Sequence, residues 1–257
     1  MPGDLTARLS GLKARIAALE AGTRTLNPVQ PFGDARIDAC LPGGGLPLGR
    51  WHELTGEGAE LEAGAATAAF AALLARPLAD KGEIVWVLRR DDLFAPGLAG
   101  LGLPADRLIQ VCARDEAEAL MALEDALGTV GVAAAVGEVE AVALTAGRRL
   151  QLACERHGGT GLLIRRRPFG GAGRREASGS AAASRWKIAP APSEPLPGAP
   201  GLGSPRWRVE LERCRAGRPG AWLMELEEAD HEAHPFRVVA GLGDRDLQAP
   251  QPLRRAG

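Results

Sequence analysis

The chain has 257 residues, with 31 Lys and Arg against 32 Asp and Glu, which gives a net charge of −1 at pH 7. This balance excludes an overall electrostatic attraction to nucleic acid or to an anionic membrane, so any such binding must depend on local patches. A hydrophobic content of 46% is enough for a sizeable core, and 25% charged residues is ordinary for a soluble protein.

Cysteine spacing and the N-terminal residues indicate the compartment. The four cysteines, Cys40, Cys112, Cys154 and Cys214, form no C-x-x-C pair, so we expect small buried thiols rather than a zinc site or a disulfide framework. The N-terminus is charged throughout, and we find no apolar segment of the roughly 18–20 residues that cross a bilayer. We therefore expect a cytoplasmic protein with no membrane partner.

Residues 1–22 predict an N-terminal amphipathic helix, and residues 23–31 predict a linker that contains Asn27-Pro28 and Gln30-Pro31. Two interpretations of the helix stay open: it packs back on the core, or it binds a partner. The apolar stripe follows helical spacing and consists of Leu5, Leu9, Leu12, Ile16 and Leu19.

From residue 32 to residue 165 the pattern alternates short apolar strands with helices of about 10–12 residues, which is typical of βαβ units and a parallel sheet. The predicted strands cover 50–54, 83–88, 108–111, 132–136 and 161–165, and the predicted helices cover 63–74, 94–101, 116–127 and 145–155. The run EIVWVL at 83–88 is apolar enough to be buried on both faces of such a sheet.

The pattern changes after residue 167. Gly, Ser and Ala dominate 168–183, and alternating runs at 185–188, 206–213 and 221–226 predict short antiparallel strands at one edge of the sheet. We expect one α/β core over 32–227, with a basic flexible loop at 165–185 and a loosely ordered tail at 228–257.

The stretch from Leu46 to Phe70 has the strand, glycine turn and helix layout of a phosphate-binding loop, G-x-x-x-x-G-K-[ST]. Gly58 and Gly64 stand one residue too far apart for that loop, Ala65 replaces the lysine, and Thr67 comes one place late. The glutamates at 57, 60 and 62 would also repel a nucleotide. We predict a strand-to-helix turn that binds no nucleotide, with the vestigial loop positions Gly56, Gly58, Gly64, Ala65 and Thr67.

Two further groups of acidic residues follow predicted strands. Asp91 and Asp92 stand beside Arg89 and Arg90, where they could bind a metal ion, but such a sequence is more typical of a solvated ion-pair cluster. Glu138 follows the strand at 132–136 and could imitate the acid that holds magnesium in a nucleotide site. Its strand ends at Gly137 rather than at an aspartate, which disfavours that role.

No nucleophile with a partnered base emerges from the sequence. Cys154 and His157 lie near the end of a predicted helix, where helix-end decoration is the favoured interpretation. His231 and His234 lie in the acidic tail, where a weak metal site or a solvated tail are both open. We expect no catalytic residue, no metal and no cofactor.

Several blocks of the chain resemble a known family. The run ARIDACLPGGGLPLGRWHEL (35–54) is similar to the segment that leads into the phosphate loop of RecA-type recombinases, through Gly43–Pro47, Gly49-Arg50 and Glu53. The chain as a whole resembles the ImuA family, over most of residues 30–227. The blocks that carry this resemblance are 32–38, 42–54, 93–109, 148–158, 184–193 and 200–215.

The resemblance implies a RecA-like core and a role in the SOS response to DNA damage. ImuA-like proteins act with ImuB and an error-prone homologue of the replicative polymerase α subunit in mutagenic translesion synthesis, and are thought to contact ImuB and RecA. The missing lysine, and Arg90 near the position of the catalytic glutamate of recombinases, imply an adaptor at the nucleoid rather than an enzyme. The alternative is an ATP-binding enzyme whose unorthodox loop uses Thr67 with Arg50 or Arg89.

The loop 165–185 corresponds in order to a DNA-contacting loop of RecA, so the resemblance implies contacts to single-stranded DNA. Its basic side chains, interleaved with Gly and Ser, could bind phosphates; a solvated loop without a ligand is the alternative. The candidate contacts are Arg165, Arg166, Arg167, Arg174, Arg175 and Arg185.

Overall fold

The computed structural model describes residues 28–166, 180–195, 198, 201–226 and 235–241. These residues form eleven strands and five α-helices, numbered in chain order. The strands are β1 (Val29–Gln30), β2 (Leu46–Pro47), β3 (Trp51–Gly56), β4 (Glu83–Leu88), β5 (Leu108–Cys112), β6 (Val132–Val139), β7 (Thr160–Arg165), β8 (Ser184–Ala191), β9 (Arg206–Cys214), β10 (Gly220–Leu226) and β11 (Phe236–Gly241). The helices are α1 (Ala35–Asp38), α2 (Glu60–Ala75), α3 (Ala95–Gly100), α4 (Glu116–Leu127) and α5 (Leu144–His157).

Nine of these strands form one mixed sheet in the order β11-β10-β9-β8-β3-β7-β6-β4-β5. The six strands from β8 to β5 run parallel, and β9, β10 and β11 add to β8 as an antiparallel extension. The predicted α/β class, with a mainly parallel sheet and antiparallel C-terminal strands, is confirmed. The predicted N-terminal helix (1–22) lies outside the described residues.

The sheet is buried on both faces, as the apolar run in β4 predicts. Ile84, Trp86 and Leu88 pack in the core cluster that contains α2. Val85 and Val87 point the other way, into the cluster that contains α4 and α5. Because each of these side chains is fully or almost fully buried, each contributes about 1.5–3 kcal/mol of transfer free energy.

Helix α2 and the 3-10 turn after it, Glu60–Leu78, are long and apolar enough to cross a membrane by length and composition alone. Our expectation that no segment reaches this length is therefore wrong for this stretch. Half of it is buried inside the protein, with Phe70 and Leu73 fully covered by the sheet. This burial is the property of a core helix, so the composition carries no argument for a membrane.

The glycine run before β3 has a structural cause. A Cβ on Gly45 would lie 2.6 Å from the carbonyl oxygen of Gln30, and Gly43 and Gly44 adopt φ of +75° and +80°, which side chains disfavour. These glycines allow β2 to pair closely with β1. The run thus specifies a hairpin at the entrance to β3, without reference to any ligand.

Three stretches differ from the sequence prediction. The tail predicted to be loosely ordered (228–257) contains β11, because Phe236 and Val238 alternate toward the core and allow pairing with β10. The predicted linker contains β1. Strand β6 continues past Gly137 to Val139, which places Glu138 inside the strand rather than after it.

Candidate functional site at the carboxyl edge of the sheet

The parallel strands β3, β4, β6 and β7 end at one edge of the sheet, which we call the carboxyl edge. Ligands of open α/β proteins bind beyond this edge. Charged residues stand at the ends of these strands or immediately after them, including Arg89, Glu138, Glu140 and Arg166. Helix α2 also begins at this edge, directly after β3.

The turn from β3 to α2 is too short for a phosphate loop. It consists of the three residues Glu57, Gly58 and Ala59, between the end of β3 at Gly56 and the start of α2 at Glu60. A Cβ on Gly56 would lie 2.9 Å from the Cβ of Ala63, so the strand and the helix approach each other closely here. The second predicted loop glycine, Gly64, and its neighbour Ala65 lie inside the helix and not in a loop.

The residues of the alternative nucleotide site do not converge on this turn. The Thr67 hydroxyl is buried and donates to the Ala63 carbonyl oxygen at 2.9 Å, so its proton is already used within the helix. Arg50 precedes β3, at the opposite edge of the sheet, and pairs with Glu155 at 2.7 Å. Of the groups proposed for an unorthodox loop, Thr67 lies beside Gly56 at the carboxyl edge with its proton already donated, and Arg89 follows β4 at the same edge.

The guanidinium group of Arg166, which follows β7, lies beside the turn. It contacts β6, α2 and the segment after β4. Its Nε and Nη2 donate to the two carboxylate oxygens of Glu138, both at 2.9 Å. Its Nη1 donates to Glu60 at the start of α2 at 2.7 Å, and Nη2 also reaches Asp92 at 3.1 Å. Arg90 adds a longer contact to Glu60, at 3.5 Å. A charged side chain of the protein itself thus lines the space beside the turn.

Burial and charge together show how firmly this cluster is held. Glu138 has a side-chain exposure of 2% and Arg166 of 19%. Burial opposes the charge on Arg166, but the hydrogen bonds and charge of Glu138, with the charges of Asp92 and Glu60, raise its pKa. Bidentate pairing of a guanidinium with a carboxylate is among the stronger polar contacts in proteins. Arg166 therefore keeps its positive charge at neutral pH.

A second chain of ion pairs continues the cluster. Arg89 contacts Glu140 at 2.8 Å and Glu116, the first residue of α4, at 3.0 Å. The hydrogen bond that Arg89 donates to Glu140 raises the pKa of Arg89. Taken with Arg90 and Arg166, these contacts set three guanidinium groups against five carboxylates. A nucleotide phosphate would meet a net negative charge at this edge.

The run from Arg89 to Asp92 is thus an ion-pair cluster, one of the two interpretations that the sequence left open. Arg89, Arg90 and Asp92 all pair with charged residues of other elements. Among the described residues, no group of three or more His, Cys, Asp or Glu side chains has the geometry to hold a metal ion. His231 and His234 lie outside the described residues.

The three glutamates near the turn do not share one position. Glu57 turns away toward the antiparallel strands, where it pairs with Lys187 at 3.1 Å and with Arg208. Burial opposes its charge, but the hydrogen bonds from Arg208 and Lys187 lower the pKa of Glu57. Glu62 is exposed beside Gly58. Glu60 faces the Arg166 cluster and Glu62 lies beside the turn, so the expectation that all three carboxylates would repel a ligand there is wrong for Glu57.

A separate cluster lies on the opposite face of the sheet around Glu53 in β3. One carboxylate oxygen accepts from Arg165 at 2.8 Å, and the other accepts from Arg185 at 3.1 Å and from the Ser180 hydroxyl at 3.2 Å. Arg165 also donates to the carbonyl oxygen of Glu140 at 2.7 Å. Glu53 therefore ties the end of β7 to the start of β8.

These contacts involve the arginines at the two ends of the predicted basic loop, 165–185. Arg165, Arg166 and Arg185 are candidates for contacts with DNA phosphates, but each pairs with a carboxylate of the sheet or of α2. Their charges are balanced inside the protein, which argues against a role in phosphate binding. The other three candidates, Arg167, Arg174 and Arg175, lie outside the described residues.

The potential nucleophiles Cys154 and Ser184 are buried, whereas Cys112 is exposed. Burial raises the pKa of the Cys154 thiol to about 12, and His157 is the last residue of α5, as helix-end decoration predicts. Cys112 is exposed, contrary to our expectation for all four cysteines. His52 and Ser184 contact each other at 2.7 Å, which resembles a base and its nucleophile, but both are completely buried.

The buried His52 belongs to a neutral structural network. Its Nε2 lies 2.9 Å from the carbonyl oxygen of Pro47 and must donate, so Nδ1 accepts from the Ser184 hydroxyl. Trp186 Nε1 donates in turn to Ser184 at 2.7 Å. Burial lowers the pKa of His52 to about 4, against the opposing effect of the Pro47 hydrogen bond. The network fastens the glycine-rich hairpin to β3 and β8.

Sequence reasoning missed the pairing of Arg166 with Glu138 and the role of Glu53. One signal was available for the first: acids and arginines follow buried strands of a parallel sheet, and the ends of such strands meet. For Glu53 the signal was an acidic residue within a buried strand, since buried carboxylates need partners.

No protein-family model matches the chain. Protein ImuA from Caulobacter vibrioides (strain NA1000 / CB15N) is 64% identical to it over 244 residues, which cover 93% of this chain and 100% of that protein. Protein ImuA from a second strain of the species, ATCC 19089 / CIP 103742 / CB 15, gives the same identity and coverage.

Proposed function

Because the chain belongs to the ImuA family, and thus to the damage-induced mutagenesis cassette of ImuA and ImuB, we propose that it is a non-catalytic adaptor. In this proposal it works in the cytoplasm, at the nucleoid, during SOS-induced translesion synthesis. It contacts ImuB and RecA, and through them the error-prone homologue of the polymerase α subunit. It hydrolyses no nucleotide.

The observation that carries the proposal is the position of Arg166. Its guanidinium group binds Glu138, Glu60 and Asp92 beside the turn after β3, where a nucleotide-binding relative would hold phosphate and magnesium. Phosphate binding there would require the loss of these ion pairs and the approach of an anion to excess carboxylate. The absence of a lysine at Ala65 removes the residue that would compensate.

The architecture supports the RecA-like part of the proposal. The strand that precedes the turn lies inside a mainly parallel sheet, and an antiparallel extension follows beyond β8. The glycine-rich hairpin that leads into β3 is retained for its own packing. A scaffold that keeps the sheet and loses the phosphate loop is suited to binding other proteins.

Co-purification tests the adaptor role. The full chain, immobilised, should retain RecA or ImuB, and a chain without residues 1–25 should lose at least one of them. A matched pair of variants sharpens the test: Leu9→Asp with Leu12→Asp disrupts the apolar stripe, whereas Thr6→Asp with Ser10→Asp adds the same charge at polar positions. Unchanged binding by the truncated chain would contradict an N-terminal interface, and failure of the full chain to retain either partner would contradict the adaptor role.

A further inference from the structure

The carboxyl edge carries three large apolar side chains that the core does not cover. Leu61 is 100% exposed, Phe94 72% and Leu144 47%. Leu61 lies in the first turn of α2, Phe94 directly precedes α3 and Leu144 begins α5. Each of these helices follows a parallel strand, so all three side chains lie at the same edge of the sheet.

Exposed acidic residues stand close in sequence to these apolar side chains. Together they form what we call the carboxyl-edge surface: Leu61, Glu62, Asp91, Asp92, Phe94, Glu140 and Leu144. Of its four carboxylates, Asp92 pairs with Arg166 and Glu140 pairs with Arg89, whereas Glu62 and Asp91 are exposed. Apolar side chains rimmed by charge of one sign are typical of an interaction surface. The complementary partner is a basic segment with an apolar stripe.

Residues 5–20 of this chain have that chemistry. Their apolar stripe of leucine and isoleucine is interleaved with Arg8, Lys13 and Arg15 against one acidic residue, Glu20. We propose that residues 5–20 dock, as an amphipathic helix of the same molecule, on the carboxyl-edge surface. The leucine stripe would cover Leu61 and Phe94, and the basic residues would face the carboxylates.

The connection is long enough for docking within one molecule. Pro28 lies beside Leu48, to which its carbonyl oxygen is hydrogen-bonded, just before β3 begins. The six residues of β3 span about 20 Å from there to the carboxyl edge. The seven residues from 21 to 27 extend to about 25 Å, and a helix of sixteen residues adds about 24 Å along its axis.

Zero-length crosslinking tests the contact directly. A carbodiimide joins a carboxylate to an adjacent amine as an amide, and the chain has three lysines: Lys13, Lys81 and Lys187. We expect crosslinks in the monomer fraction, identified by mass spectrometry, between Lys13 and Glu62, Asp91, Asp92 or Glu140. Lys187 contacts Glu57 at 3.1 Å and Glu210 at 3.4 Å, so its crosslinks show that the reaction worked.

Paired variants show whether the apolar side chains hold the segment. Leu61→Ser with Phe94→Ser should lower the yield of Lys13 crosslinks about fivefold, because they remove the apolar part of the contact. Met121→Ser with Leu152→Ser, at exposed positions on α4 and α5, should leave the yield unchanged. Equal losses in both pairs would contradict the proposal.

Two other outcomes would overturn the inference. Crosslinks of Lys187 without any of Lys13 to the carboxyl-edge surface would show that the segment lies elsewhere. Lys13 crosslinks confined to a dimer fraction would show contact between copies rather than within one. Both outcomes are obtained without RecA or ImuB, so they are independent of the adaptor proposal. If docking occurs, a partner that binds residues 5–20 must first displace them from the carboxyl edge.

Discussion

Two consecutive residues, Arg165 and Arg166, enter ionic clusters on opposite faces of one sheet. Arg165 pairs with Glu53 in the interior, where the two side chains are 6% and 4% exposed. Arg166 pairs with Glu138 at the carboxyl edge, where its side chain is 19% exposed. Strand alternation separates the two positions. The inner pair therefore stabilises the sheet, whereas the outer pair determines what can bind beside the turn.

The inner cluster should give the largest effect on stability. Glu53→Ala leaves Arg165 buried without its carboxylate partner, so we expect the free energy of unfolding to fall by about 3–5 kcal/mol. Urea denaturation measures this change. Glu53→Gln, which keeps an acceptor in place, should lose less. A loss below about 1 kcal/mol in Glu53→Ala would refute the structural role of this pair.

The neutral network of His52 lies on the same strand as Glu53 and should also affect stability. Burial lowers the pKa of His52 to about 4, so the folded state stays neutral while an unfolded histidine takes a proton below about pH 6.5. The stability contribution is complete above pH 6.5 and declines by about 3 kcal/mol as the pH falls to about 4. Urea denaturation of the native chain and of His52→Asn, from pH 7 to pH 4, gives the slope of the free energy of unfolding against pH, and the difference between the two slopes is the part due to His52. An identical slope in both chains would contradict the assignment.

The outer cluster should give a smaller effect, because water reaches part of it. A double-mutant cycle with Arg166→Gln and Glu138→Gln should yield a coupling of about 2 kcal/mol. The exposed pair of Arg114, just before α4, and Glu118, in the first turn of α4, has side chains 88% and 32% exposed. It is the matched control and should couple by about 0.3–0.5 kcal/mol. Equal couplings in the two cycles would mean that Arg166 is an ordinary surface residue.

The sequence predicted the order of strands and helices well because their signals are local. The apolar run of β4 and the periodicity of α4 give the same boundaries in the structure. The Arg166 cluster was not predicted in full, because it joins Glu60, Asp92 and Glu138 from three separate elements. Their proximity depends on strand order, which hydrophobic periodicity does not specify. The lost lysine at Ala65 was visible from the sequence, but the guanidinium group beside the turn was not.

The turn between β3 and α2 shows a second limit of prediction from the sequence. The sequence pattern predicts a helix from residue 63, yet α2 begins at Glu60, so that Gly64 and Ala65 lie in its second turn. Helix propensity in the Ala-rich run favours this early start, even with a glycine inside the helix. The position of a helix start is among the least certain features of any sequence pattern, and here it determines whether a phosphate loop exists.

A titration with ATP and Mg²⁺, followed by thermal unfolding, shows directly whether the turn after β3 binds a nucleotide. A ligand at about 100 times its dissociation constant adds roughly 2.7 kcal/mol to the stability of the folded state, so binding would be readily visible in the melting temperature. We predict no rise at millimolar ATP, because Arg166 already pairs with Glu60 and Glu138 beside the turn. A saturable rise in the native chain, abolished by removal of Mg²⁺, would contradict the account and indicate a nucleotide-dependent enzyme.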